Sequence, residues 1–176
     1  RSSLHETGKM KIIVHDYSGH PFQIQLSREL ARLGHDIIHV YSADFQTPRG
    51  GLSPQPNDSP QLRIIGLSLG EPFQKATFIK RRSQEIRFGR LLADLIRRER
   101  PDVVFSSNAP LDAQRFIQKA TKEVSGAAFV FWLQDLYGEA IFKILSQKLP
   151  VVGRLVGKFY RRLERSMLMT SDYIVC

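Results

Sequence analysis

Short apolar runs alternate along the chain with longer stretches whose apolar residues recur every three or four positions. The short runs predict strands at Lys11–His15, Asp36–Ser42, Leu62–Leu67, Val103–Ser106, Ala127–Leu133 and Tyr173–Cys176. The longer stretches predict helices over Phe22–Leu33, Phe78–Arg100, Ala113–Val124, Gly138–Gln147 and Val151–Met169. Gly34 closes the first helix, and Arg100-Pro101-Asp102 stops the second. The expected inward faces are Phe22, Leu26, Leu30 and Leu33 in the first helix and Val152, Leu155, Val156, Phe159, Tyr160, Leu163 and Met167 in the last. The strands are apolar throughout rather than alternating, and they take turns with helices. That combination means a parallel sheet covered by helices on both faces. A breaker-rich stretch, Asp44–Pro60, follows the second strand, and a loop of that length in a compact domain is usually functional.

At 176 residues, 42% hydrophobic and 24% charged, the chain is sized for one domain with a real core. Cys176 is the only cysteine, which excludes a disulfide framework and a cysteine-based zinc site. No apolar run reaches the ~18 residues of a membrane span. A cytoplasmic protein is expected. Arg1–Lys9 reads as an expression leader before a native start at Met10, and the apolar ending Tyr173–Cys176 suggests that the native protein continues.

Charge adds a second layer. Lys and Arg number 26 against 17 Asp and Glu, a net charge of +9. The excess sits in two helices. Phe78–Arg100 carries eight cations against three carboxylates, and Val151–Met169 carries five against one. Their arginines lie off the apolar stripes and face either solvent or an anionic surface. The residues expected to face a membrane are Lys80, Arg81, Arg82, Arg154, Lys158, Arg161 and Arg162.

In an open parallel sheet, ligands bind beyond the carboxyl ends of the strands. After the first strand come Asp16, Tyr17, Ser18, Gly19 and His20, where a glycine lets backbone amides approach an anion. No G-x-G-x-x-G and no G-x-x-x-x-G-K-[ST] occurs, so neither the dinucleotide fingerprint nor a P-loop is present. Ser106, Ser107, Asn108 and Pro110 follow the fourth strand and suit sugar hydroxyls or a helix cap. Asp135 follows the fifth strand, at the mouth of the cleft or as a helix N-cap. His39 reads as a core residue, and no histidine pair has metal spacing.

Leu26–Tyr41 (LSRELARLGHDIIHVY) resembles the first helix and second strand of GT-B glycosyltransferases. Phe131–Ala140 (FWLQDLYGEA) resembles a W-x-Q-D-L-W-P-E segment of family 4 glycosyltransferases of bacterial cell-surface polysaccharide synthesis. The resemblance runs from Met10 to Cys176 and covers the N-terminal domain only. It implies a Rossmann-like three-layer α/β/α domain with a mainly parallel sheet, paired in the whole enzyme with a donor domain absent from this chain. It further implies transfer of a sugar, with retention, from a nucleotide-sugar to a lipid-linked or membrane-associated glycan acceptor, by a peripheral protein of the inner membrane face. No metal and no cofactor are expected on this reading, and no nucleic acid. Gly19 and His20 would meet the donor diphosphate, Asp16, Asn108 and Glu139 the acceptor, and Asp135 would orient or polarise the acceptor hydroxyl. This chain alone would be inactive.

Two alternatives stay open. One is a non-catalytic basic α/β module that binds nucleic acid or an anionic surface. Against it, Phe88, Phe159 and Tyr160 sit on the apolar stripes, where they cannot stack on bases. The other is a nucleotide-sugar epimerase of GT-B shape, which would need no acceptor.

Overall fold

A computed structural model describes residues 8–45, 51–74, 77–107 and 109–176. In chain order the elements are β1 (Lys11–Asp16), α1 (Pro21–Arg32), β2 (Asp36–Ser42), β3 (Leu62–Leu67), α2 (Phe78–Glu99), β4 (Val103–Ser107), α3 (Leu111–Glu123), β5 (Ala128–Trp132), α4 (Tyr137–Lys148), α5 (Val152–Met169) and β6 (Tyr173–Val175). Every described element falls within two residues of the sequence expectation. Arg1–Lys9 and Asp44–Pro60 were expected as a leader and a loop. Most of the leader and residues 46–50 lie outside the described residues.

The six strands form one parallel sheet in the order β3-β2-β1-β4-β5-β6. This is a Rossmann-like α/β fold. Ile13 lies opposite Ile38 on one side and Val104 on the other, and His15 opposite Val40 and Ser106. Because side chains alternate across a strand, these residues share one face of the sheet. That face carries the larger core, with Phe88, Leu92 and Ile96 of α2, Ile117 of α3 and Tyr160 and Met167 of α5. Ile12, Val14 and Ile37 point the other way, onto Ala31 of α1. Each such side chain, fully buried, contributes about 1.5–3 kcal/mol.

Local chemistry sets the helix ends. Pro21 occupies the start of α1, where its fixed φ suits a first helical residue and its missing N–H costs nothing. Gly34, with φ +101°, ends the helix; its N–H donates to Ala31 O and that of His35 to Leu30 O. Arg100 takes the same left-handed conformation (φ 48°) at the end of α2, just before Pro101.

Two helices bury only part of the face expected. In α1, Phe22 and Leu33 are exposed, and the buried residues are Gln23, Ile24, Ser27 and Ala31. The sheet beneath is itself polar there. Gln23 donates to Ser107 Oγ (3.1 Å), and Ser27 pairs with His39 Nδ1 (2.8 Å). In α5 the buried residues are Gly153, Gly157, Tyr160, Glu164 and Met167, whereas Val152, Leu155 and Phe159 are exposed. The reason is close packing against α4. A Cβ on Gly157 would lie 2.7 Å from Phe142 Cα, and one on Gly153 would overlap the Leu145 carbonyl. The backbone amides of Tyr137 and Gly138 hydrogen-bond to Glu164, tying the start of α4 to α5.

Candidate functional site

The chain leaves β1 toward one edge of the sheet and returns at β4 to build the other edge. Adjacent strands whose connections diverge open a crevice at their carboxyl ends. A pocket of about 450 Å3 fills that crevice. Tyr17 and Ser18 after β1, Pro110 and Asp112 after β4, and Tyr137 after β5 line it, with Arg81 and Glu85 of α2. Its far wall is aromatic. Tyr17 packs against Phe45 at 5.2 Å and Phe88 at 4.8 Å between ring centres, and Phe45 meets Phe73 at 4.9 Å.

The polar groups of the pocket are few and coupled. Asp112, in the first turn of α3, is buried and receives both Arg82 Nε (2.9 Å) and Arg82 Nη2 (3.2 Å). Tyr160 donates its hydroxyl proton to the same carboxylate at 2.6 Å. Burial and that hydrogen bond push the Tyr160 hydroxyl up to about 12. Beside this cluster, Glu85 lies 3.6 Å from Arg81. Burial pushes its carboxyl up to about 7, with Asp112 adding to the shift and Arg81 and Arg82 opposing it. A carboxyl poised near neutrality in a cleft can both take and return a proton. Burial likewise raises Tyr17.

The β1–α1 turn behaves otherwise. Asp16 is fully buried, and its carboxylate accepts the backbone N–H of Ser18 at 3.2 Å and that of His20. Gly19 has φ +78°, the conformation this turn requires. Directly beneath, His15 donates from Nδ1 to Ser106 Oγ at 2.8 Å, because the Ser106 hydroxyl is spent on Gln114 Oε1 at 2.6 Å. Burial pushes His15 down to about 3 and His39 down to about 4, so both are neutral imidazoles.

The expected site residues do not converge. Asp135 is exposed and opens onto a small notch beside Trp132 and Gln134; its side chain caps no helix. Glu139 pairs with Arg161 at 3.0 Å on the surface. Asp16 closes the first turn, with Gly19 buried and His20 half-buried beside it. Asn108 lies outside the described residues. Arg81 and Arg82, expected at a membrane, turn into the pocket and its flanking ion pair, whereas Lys80, Arg154, Lys158 and Arg162 are exposed. Glu85, Asp112 and Tyr160 were not singled out from sequence as site residues. The one available signal was an acid, Glu85, four residues from Arg81 in a helix of cations.

No protein-family model matches the chain, and no curated protein matches it either. Solved structures do. The Bordetella bronchiseptica enzyme WbmG in complex with NAD superposes with a TM-score of 0.57 at 12% identity, over 98% of this chain and 53% of that one. WbmG in complex with NAD and UDP gives 0.56 at 13%, over 95% and 52%. WbmH from the same organism, in complex with NAD+, gives 0.55 at 14%, over 96% and 55%. The chain thus spans about half the length of these structures, and the likeness establishes the fold.

These neighbours correct three expectations. They are NAD-bound enzymes and not GT-B glycosyltransferases, so the family 4 resemblance falls and glycosyl transfer falls with it. The expectation that no cofactor is used falls too, since the same fold carries NAD in all three. Of the readings the sequence left open, the nucleotide-sugar epimerase is now better backed than the transferase. The β1–α1 turn of this chain, however, does not fit a dinucleotide pyrophosphate. Amides that would receive the phosphates already bond to Asp16, Pro21 has none to offer, and Gly19 is the only glycine of the turn.

Proposed function

We propose that this chain is the nucleotide-binding half of an enzyme that modifies a nucleotide sugar by epimerisation, with the ligand in the β1/β4 crevice. The observation that carries this reading is the pocket itself. It lies at the switch point of a Rossmann-like sheet and joins an aromatic wall to a carboxyl held near neutrality. Tyr17 and Phe73 offer flat apolar surface to a base or a sugar ring. Arg81, whose buried Nε has no hydrogen-bond partner among the described residues, supplies positive charge for a diphosphate. Glu85 is the proton-transfer group: half ionised near neutral pH, it accepts a proton from a sugar hydroxyl and returns it. The UDP complex of WbmG supports a uridine nucleotide as the first ligand to try.

Thermal unfolding of the 176-residue chain with UDP, a UDP-sugar and NAD+ tests this. A ligand at a hundred times its dissociation constant stabilises by about 2.7 kcal/mol. UDP and the UDP-sugar should raise the melting temperature, and Arg81→Met should abolish the rise. If no nucleotide shifts the chain, the pocket is not a nucleotide site.

A further inference from the structure

The outward face of α5 sets exposed apolar side chains beside a row of cations. Leu155 is 65% exposed, Phe159 45% and Val152 60%, and Val151 and Met169 extend the same ridge at the two ends of the helix. At about 100° per residue, Arg154, Lys158, Arg161 and Arg165 run together along one flank of that ridge, and Arg162 stands within it. The only carboxylate of α5, Glu164, is buried on the opposite side, so the exposed face carries cations alone. Of the five cations, only Arg161 has an ion-pair partner among the described residues. The ridge continues onto the first turn of α2. There Phe78 and Ile79 are exposed beside Lys80, and Phe78 joins Leu155 and Phe159 around an open apolar groove of about 400 Å3.

We infer that this α5–α2 ridge docks on an anionic lipid surface, with Leu155, Phe159 and Ile79 entering the headgroup boundary and the flanking cations meeting lipid phosphates. Charge complementarity selects the occupant. A second copy would bring its own cations against these, and the like charges oppose a symmetric contact. A nucleic acid would satisfy the cations and could stack on Phe78 and Phe159, but it would leave the aliphatic Val151, Val152, Leu155, Ile79 and Met169 against water. A bilayer takes both: apolar side chains lie at the acyl boundary, and each cation near an anionic leaflet contributes about 1 kcal/mol. The groove adjoins the nucleotide pocket through Phe78 and Tyr160, but Leu155, Lys158, Phe159 and Arg162 do not line that pocket, so the test is independent of it.

Flotation of the full chain with vesicles decides the matter. Vesicles of phosphatidylcholine alone should leave the protein in the load, and vesicles containing phosphatidylglycerol should carry it up, less so as salt rises. Lys158→Gln and Arg162→Gln should each lower the partition coefficient about five-fold. The uncharged double variant Leu155→Ser/Phe159→Ser should lower it about ten-fold at unchanged net charge. All four positions are exposed, so the variants should keep the wild-type melting temperature, which is measured alongside. Equal flotation with neutral and anionic vesicles overturns the inference, and so does an unaffected Leu155→Ser/Phe159→Ser variant. A dimer in sedimentation that the same double variant dissolves would give the ridge to a second copy instead. RNA retention lost in that variant would give it to nucleic acid.

Discussion

The two basic helices begin with much the same endowment and use it in opposite ways. In α2 the cations are mostly spent within the protein. Arg81 faces Glu85, Arg82 holds Asp112, Arg87 reaches Glu71, and Arg97 bonds both Asp94 and Glu123. In α5 only Arg161 finds a carboxylate among the described residues. The difference traces to what each helix packs against. The pocket end of α2 meets the start of α3, where Asp112 lies, so its arginines organise a site. The inner face of α5 is closed by glycine against α4 and by Tyr160 and Met167 against the core, leaving Val152, Leu155, Phe159 and the cations to face outward. Net charge alone therefore says little about function; what matters is how much of it the protein neutralises itself.

That contrast can be broken experimentally. The largest effect is expected where α5 meets α4. Gly153→Ala forces a methyl into the Leu145 carbonyl and should cost about 3 kcal/mol or more, read by urea unfolding. The matching change in α2, Gly89→Ala, places a Cβ 2.7 Å from Ala113 Cα and should cost about 2 kcal/mol. Asp112→Ala would strand Arg82 and the Tyr160 hydroxyl and should cost about 2–3 kcal/mol, since Arg82 retains some contact with solvent. Lys158→Gln in α5 should change stability by no more than about 0.5 kcal/mol. Equal costs for Asp112→Ala and Lys158→Gln would erase the distinction between the helices.

Glu85 sharpens the comparison through pH. Its folded carboxyl is raised to about 7 from an ordinary value of 4.5. The protonated form is thus favoured by folding, and its stabilising contribution is complete below pH 4.5, fades between 4.5 and 7, and is gone above. Glu85→Gln should accordingly leave stability unchanged below pH 4.5 and raise it by about 2 kcal/mol above pH 7. Parallel stability curves for the two proteins would remove Glu85 as the neutral-pH proton carrier. The smallest effect belongs to Arg97. Its partners Asp94 and Glu123 are themselves solvent-exposed, and Arg97→Gln should cost within about 0.5 kcal/mol.

Strand and helix positions were legible in the sequence because apolar runs and three-four spacing are local properties. The sheet's parallel character followed from the same runs. The inward face of α5 was legible only in part. The stripe put Tyr160 and Met167 inside, where they lie, but also Val152, Leu155 and Phe159, which are exposed, and it passed over Gly153, Gly157 and Glu164. Glycine scores nothing on a hydrophobic pattern, although it is what allows two helix backbones to meet. The α1 face misled for the converse reason: Gln23 and Ser27 bury because His39 and Ser107 lie beneath them, a condition set by other strands. The site escaped for a related cause. Asp135 is next to a central strand in sequence but opens to solvent, whereas Glu85 becomes unusual only once loops and α3 close around it.

The carboxylate of Asp16 acts as an internal competitor. An incoming phosphate would meet amides already bonded to Asp16, so the apparent anion affinity of that turn would be the intrinsic one multiplied by the fraction of molecules in which Asp16 has withdrawn. Anything that draws Asp16 away would raise anion affinity without adding a single contact to the anion. The anion selectivity of the β1–α1 turn then depends on an equilibrium of one side chain as much as on the shape of the pocket.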